Sequence, residues 1–253
     1  MSDIALRAER LAAAGFTHAF STRRGGVSEG QYASLNLGRS VGDEPAHVLE
    51  NATRFAEAAG LDPARLYEVS QVHGASVITV HGDEDAVAVR ARQADALVSR
   101  GAGFAVGVRT ADCAPVLLGD RVTGHAAAVH AGWRGVVANV VGEAVRALGK
   151  EPKNVIAAIG PSIGPCCFEV GDEVAISLAS AAGDGIVLRK GPSNPHVDLW
   201  RAIEHQLRAA GVGVVDTLGR CTVCESELFF SYRRDGQRSG RMLSAVAARA
   251  PLG

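Results

Sequence analysis

Apolar residues recur along the chain with two periods, and the switching between them predicts a mixed architecture. The positions Val48, Ala52, Phe55, Ala56 and Ala59 fall on one helical face, with Asp43-Glu44-Pro45 ahead of them as a start and Gly60 as a stop. The segments 136–148 (closed by Gly149), 173–181 and 198–210 have the same spacing, the last with Asp198 as its N-cap. Shorter apolar runs have the length of strands: 67–72, 76–80, 96–99, 104–108, 115–118, 124–130, 155–159 and 212–215. The segment 242–249 reads as a terminal helix. Several strands follow one another with no helix between them. The predicted fold is therefore α/β with an α+β-like character: one domain over 1–253, built of mixed β-sheet layers covered by helices. Glycine is abundant and clusters in short turns, and no long linker or repeat divides the chain.

Composition narrows the function classes. Hydrophobic residues make up 47% and charged residues 21%, which excludes a disordered chain. Basic and acidic residues nearly cancel, 26 against 27, so no nucleic-acid partner is expected. No apolar run reaches the roughly 20 residues that span a bilayer, so no membrane partner is expected either. The first residues carry Asp3 and Glu9 and lack the apolar core of an export signal. Five cysteines, an odd number, then point to reduced thiols in the cytoplasm. The oligomeric state is left open, with a monomer as the working expectation.

Three residues stand out chemically. His73 lies in Ser70-Gln71-Val72-His73-Gly74, Cys113 in Thr110-Ala111-Asp112-Cys113-Ala114-Pro115, and His130 in His130-Ala131-Gly132-Trp133-Arg134-Gly135. Each falls at a strand end or turn, where a rigid sheet can present a functional group. Two imidazoles and a thiolate suit zinc, which in catalytic sites takes three protein ligands and keeps a fourth position open. Such an ion brings the pKa of a coordinated water to about 7. The same residues also fit a metal-free hydrolase, with Cys113 as nucleophile, His130 as its base and Asp112 nearby. Arg23, in the flexible loop Ser21-Thr22-Arg23-Arg24-Gly25-Gly26-Val27-Ser28, is a candidate phosphate ligand. Arg134, beside a predicted helix N-terminus, is another. Cys221-Thr222-Val223-Cys224 is a C-x-x-C, but Cys166-Cys167 lack the spacing of a matching pair, so these four read as packing. The stretch from Tyr232 to Arg241 reads as a charged structural turn. Trp133 and Phe168 are aromatics that could stack a base.

Eight motifs, in order, resemble one known family. They are Phe20-Ser21-Thr22-Arg23 with Gly25-Gly26-Val27-Ser28, Ser34-Leu35-Asn36-Leu37-Gly38, Gln71-Val72-His73-Gly74, Ala94-Asp95-Ala96, Thr110-Ala111-Asp112-Cys113, His130-Ala131-Gly132-Trp133-Arg134-Gly135, the run from Gly160-Pro161 through Cys166-Cys167-Phe168-Glu169 to Gly171, and Phe230-Ser231-Tyr232-Arg233-Arg234. The resemblance is to the multi-copper polyphenol oxidase, or laccase-domain, family, also called the purine nucleoside phosphorylase or peptidoglycan editing factor family. Ser239-Gly240-Arg241 stands where that family usually has Thr-Gly-Arg.

The resemblance implies a zinc site at His73, Cys113 and His130; Asp112, adjacent to Cys113, is taken as a further catalytic residue that orients it or shuttles protons. It implies phosphorolysis of adenosine, inosine, guanosine and methylthioadenosine, with purine nucleosides and phosphate as partners, plus adenosine deamination. Arg23, Arg134 and Asn36 are the expected substrate contacts. An alternative is a cytoplasmic hydrolase that edits peptidoglycan precursors with the same zinc or cysteine. Copper is a possible alternative metal, because His/Cys ligands bind it tightly. A true multi-copper oxidase needs many histidines, largely in His-x-His pairs. This chain has eight histidines and no such pair, so laccase chemistry is not expected.

Overall fold

The computed structural model describes residues 4–189 and 194–251. In chain order the strands are β1 (Ala5–Leu6), β2 (His18–Ser21), β3 (Leu66–Tyr67), β4 (Val77–Val80), β5 (Ala96–Ser99), β6 (Ala105–Thr110), β7 (Ala114–Asp120), β8 (Ala126–Ala131), β9 (Val155–Ile159), β10 (Val187–Leu188), β11 (His196–Val197), β12 (Val214–Thr217) and β13 (Met242–Ala247). The α-helices are α1 (Glu9–Ala13), α2 (Pro45–Ala59), α3 (Ala86–Arg90), α4 (Trp133–Val137), α5 (Val140–Leu148), α6 (Asp172–Ala182), α7 (Leu199–Ala209) and α8 (Tyr232–Asp235). None of the described helices is long and apolar enough to cross a membrane.

Two mixed sheets stack on one another. One has five strands in the order β1-β2-β13-β6-β3, the other six in the order β12-β9-β7-β8-β5-β4. Alternation along each strand assigns its side chains to layers. On β8, Ala126 and Ala128 face the other sheet, where they meet Phe20, Val106 and Val246. Ala127, Val129 and Ala131 face the helices α5, α6 and α7, whose Val141, Leu148, Leu178 and Ile203 cover them. On the far side of the five-stranded sheet, Phe55 and Ala59 of α2 pack on Ala19, Leu243 and Ala245. The order of layers is helix, sheet, sheet, helices. Both faces of the central strands are buried, which explains why 115–118 and 126–129 are unbroken apolar runs.

The predicted mixed-sheet α/β fold is observed, with three local differences. Residues 242–247 form β13, not a helix, and lie between β2 and β6. Met-Leu-Ser-Ala-Val-Ala has helix propensity, and burial of both strand faces removes the alternation that marks a strand; the ladder on each side decides. The predicted helix 136–148 breaks into α4 and α5 at Asn139, whose φ is 59°. The predicted strand 67–72 keeps only its start, because after Tyr67 the chain leaves β6 and crosses to the other sheet.

Candidate metal centre and its cavity

Two crossings between the sheets build the site. The first, after β3, carries His73; the second, between β6 and β7, carries Cys113. His130 lies on β8 at the same end, one residue before the strand stops. One nitrogen of each imidazole and the sulfur lie within 4.8 Å of one another, and the two rings meet edge to face. Gly132 permits this approach: a Cβ there would sit 2.9 Å from Cys113 Sγ and 3.3 Å from His73 Cδ2.

Asp95, at the entry to β5 and fully buried, organises the cluster. Its carboxylate accepts from the backbone N–H of His73 (2.9 Å) and Gly74 (2.6 Å), and from His130 Nδ1 (2.8 Å). The amide contacts hold His73 in a left-handed backbone conformation, φ 61°. The His130 contact fixes the proton on Nδ1 and leaves Nε2 for a ligand. Burial alone would raise the pKa of Asp95, but these donors outweigh it and hold it below the usual value. In the sequence Asp95 stands only within the Ala94-Asp95-Ala96 motif. Its signal was positional: a lone carboxylate in an apolar segment next to a strand.

Cys113 and His130 polarise one another. Burial would raise the thiol, yet the imidazoles of His130 and His73 bring it down to about 6. Burial would lower His130, yet the Cys113 thiolate and Asp95 lift it to about 9. The donor set fits a divalent ion: a ready thiolate, a histidine with its tautomer fixed by a carboxylate, and a second histidine at the mouth of the cavity.

The cluster lies in the wall of a cavity of about 790 Å³. Trp133 and Phe168 also line it, as do five arginines: Arg39, Arg90, Arg109, Arg233 and Arg241. Buried Glu68 gathers three of these, with Arg109 Nη2 at 2.8 Å, Arg39 at 3.4 Å and Arg90 at 4.0 Å. Arg39 and Arg90 are thus only loosely tied and reach solvent. Arg233 donates to the carbonyls of Cys167 and Glu169, and Arg241 to those of Ser239 and Gly240. The stretch from Tyr232 to Arg241, read as a structural turn, contributes to the cavity after all.

Of the other expected residues, Asp112 lies in the cavity wall and Arg23, Arg134 and Asn36 fall outside it. Asp112 lines the cavity with φ 85°, and its carboxylate oxygens accept from Thr222 Oγ1 and the Arg233 N–H, both at 2.6 Å. Arg23 does not line the cavity. Its guanidinium donates to the carbonyls of Ala33 and Ser226 and stacks on Phe230, in a separate surface hollow. Arg134 is exposed and stacks on Trp133, 4.4 Å from the ring centre, outside the lining. Asn36 is buried, with Asp43, Gly38 and Arg241 as partners, and braces a loop. Flexible loop, helix start and motif position did not locate the cavity's cations, because those come from segments far apart in sequence.

Fold and site define an α/β protein of two stacked mixed sheets with a His-Cys-His ligand cluster at one end. Residues 17–249 match the family described as multi-copper polyphenol oxidoreductase laccase, and the chain belongs to that family. It is 43% identical over 233 residues to purine nucleoside phosphorylase YfiH of Shigella flexneri, covering 89% of this chain and 91% of that one. It is 42% identical over 231 residues to purine nucleoside phosphorylase ORF3 of Streptomyces griseus, covering 90% and 92%. Among solved structures, the hypothetical protein YfiH of Bacillus licheniformis superposes with a TM-score of 0.90 at 30% identity, covering 98% and 97%. YlmD of Geobacillus stearothermophilus does so with 0.85 at 35%, covering 93% and 92%. The names of the curated relatives support an enzyme of the purine nucleoside phosphorylase kind.

Proposed function

We propose that this protein is a zinc-dependent purine nucleoside phosphorylase, acting on adenosine, inosine, guanosine and methylthioadenosine, that also deaminates adenosine. The observation carrying this reading is the convergence of His73, Cys113 and His130 on the wall of an arginine-lined cavity large enough for a nucleoside. The names of the relatives support the substrate class. His73, Cys113 and His130 would hold the ion, with Asp95 orienting His130. When bound, zinc supplies a Lewis acid beside the open cavity, suited to activating water for deamination and to offsetting charge on a departing base.

The chain's own groups supply the rest. Arg39 and Arg90, on the solvent side of Glu68, would bind phosphate and aim it at the ribose, in place of Arg23 and Arg134. Trp133 and Phe168 would flank the purine. Asp112 keeps the Cys113 loop fixed through its bonds to Thr222 and Arg233. We assign the reaction to the cytoplasm; the five free cysteines support a reducing compartment.

The test is purine release from inosine with and without phosphate, before and after chelation. Strict phosphate dependence, loss on chelation and recovery with zinc are expected. Release without phosphate would remove the phosphorylase claim. Turnover that survives chelation but is blocked by alkylation would put the Cys113 nucleophile in its place.

A further inference from the structure

We propose that Cys166, Cys167, Cys221 and Cys224 form a second metal site, holding one zinc ion between the loops that follow β9 and β12. Sequence spacing argued against a joint site, since two adjacent cysteines do not match a C-x-x-C. Topology supplies what spacing lacks. β9 and β12 are parallel neighbours in register, with Ile159 opposite Thr217, so the loops after them leave the sheet at the same end, side by side. The ladder continues briefly beyond the strands, with Ser162 bridging Cys221. The first loop brings Cys166 and Cys167, the second Cys221 and Cys224.

The four sulfurs lie within 4.8 Å of one another. Cys224 Sγ is 3.5 Å from Cys166 Sγ and 3.4 Å from Cys167 Sγ. A disulfide needs about 2.05 Å. Tetrahedral zinc, with Zn–S near 2.3 Å, sets its sulfurs about 3.8 Å apart. The observed spacing is close to the second value and too tight to wrap a polynuclear iron–sulfur cluster. Packing does not explain the group, because Cys166 and Cys224 are exposed. Four soft thiolates in a compact set select zinc over hard cations.

The surroundings suit the negative charge such a site would carry. Cys221 Sγ accepts from the backbone N–H of Gly164, at 3.3 Å, and the N–H groups of Val223 and Cys224 also serve it. The first half of the C-x-x-C turn thus curls around its own sulfur. Gly164 allows the approach: a Cβ there would stand 3.2 Å from Cys221 Cβ and 2.8 Å from the Trp200 ring. The guanidinium groups of Arg233 and Arg234 are fixed nearby on the carbonyls of Cys167 and of Thr222 and Val223.

The site shares no ligand with the His73 cluster, so it stands whether or not the proposed reaction does. Its four protein ligands leave no open position, which makes it a brace. It would clamp the loop carrying Ile163 and Phe168 of the cavity wall to the loop carrying Thr222, the partner of Asp112.

The test counts metal in the full chain, produced with zinc and purified without chelator or oxidant. About two zinc ions per chain are expected in the wild type. One is expected in Cys221→Ser/Cys224→Ser and one in Cys113→Ala. With Co²⁺ as the probe, the double variant should lose about four fifths of the sulfur-to-cobalt absorption and Cys113→Ala about one fifth, following the number of thiolates. If the double variant fails to fold, the wild-type cobalt spectrum and exposed Cys166→Ser decide. An absorption of single-thiolate strength in the wild type overturns the proposal. So does one zinc per wild-type chain that vanishes with Cys113→Ala, retention of both ions in the double variant, or a disulfide within the four in the anaerobic protein.

Discussion

Two cysteine-bearing clusters lie on either side of Asp112, and they treat Cys113 and Cys166 in opposite ways. Asp112 precedes Cys113 in the chain, and its carboxylate accepts from Thr222, between Cys221 and Cys224. In one cluster a thiol sits among imidazoles, which overcome burial and bring Cys113 down to about 6. In the other a thiol sits among thiols. Burial and the Cys224 and Cys221 sulfurs push Cys166 up to about 11. One cluster offers three donors and faces a cavity; the other offers four and closes on itself. Ligand number and neighbours, more than the cysteine itself, separate a reactive centre from a structural one.

The contrast can be broken most sharply at Cys113. Cys113→Ala should lower purine release at least about a thousandfold, the several kcal/mol a Lewis acid supplies. Its metal content should fall while the thiols of the other cluster stay protected, measured by turnover and metal analysis together. Next comes reactivity. In chelated protein at pH 7, Cys113 should alkylate about a hundredfold faster than Cys166. Its far larger thiolate fraction is partly offset by the lower nucleophilicity of a low-pKa sulfur. The Cys113 rate should be flat above pH 7 and fall as pH drops below about 6, while the Cys166 rate climbs towards about 11. Peptide mapping of the alkylated protein reads both.

A smaller effect is expected from Asp95→Asn. Losing the carboxylate behind His130 should weaken zinc at the first cluster about 10- to 100-fold, by chelator competition, and leave the four-cysteine group unaffected. Arg39→Ala or Arg90→Ala should raise the KM for phosphate about tenfold, the worth of one charge-assisted hydrogen bond, whereas Arg134→Ala should change it less than twofold. Equal effects would return phosphate to the helix start.

The layered fold was legible because amphipathic helices such as Pro45–Ala59 and buried strands such as Val155–Ile159 have distinct lengths and punctuation. The ambiguous end, 242–247, needed the ladders of β2 and β6 to become a strand. His73, Cys113 and His130 could be nominated as residue types at strand ends and through a family resemblance. What brings them within reach of one another is the pair of crossings between sheets, which no spacing rule encodes. The same holds for Cys166-Cys167 and Cys221/Cys224, whose meeting follows from the parallel pairing of β9 and β12. Arg39, Arg90 and Glu68 were missed because scattered arginines and a lone glutamate resemble ordinary surface charge until the fold gathers them.

His73 and Cys113 ride on the segments by which the chain steps from one sheet to the other, and His130 belongs to the second sheet alone. An ion captured by all three therefore works as a rivet through the laminate. Prising the two layers apart would have to eject it, so the melting point should track free zinc. An ion at a hundred times its dissociation constant adds about 2.7 kcal/mol against opening. Metal supply would then govern how firmly the protein is shut as well as what it can catalyse.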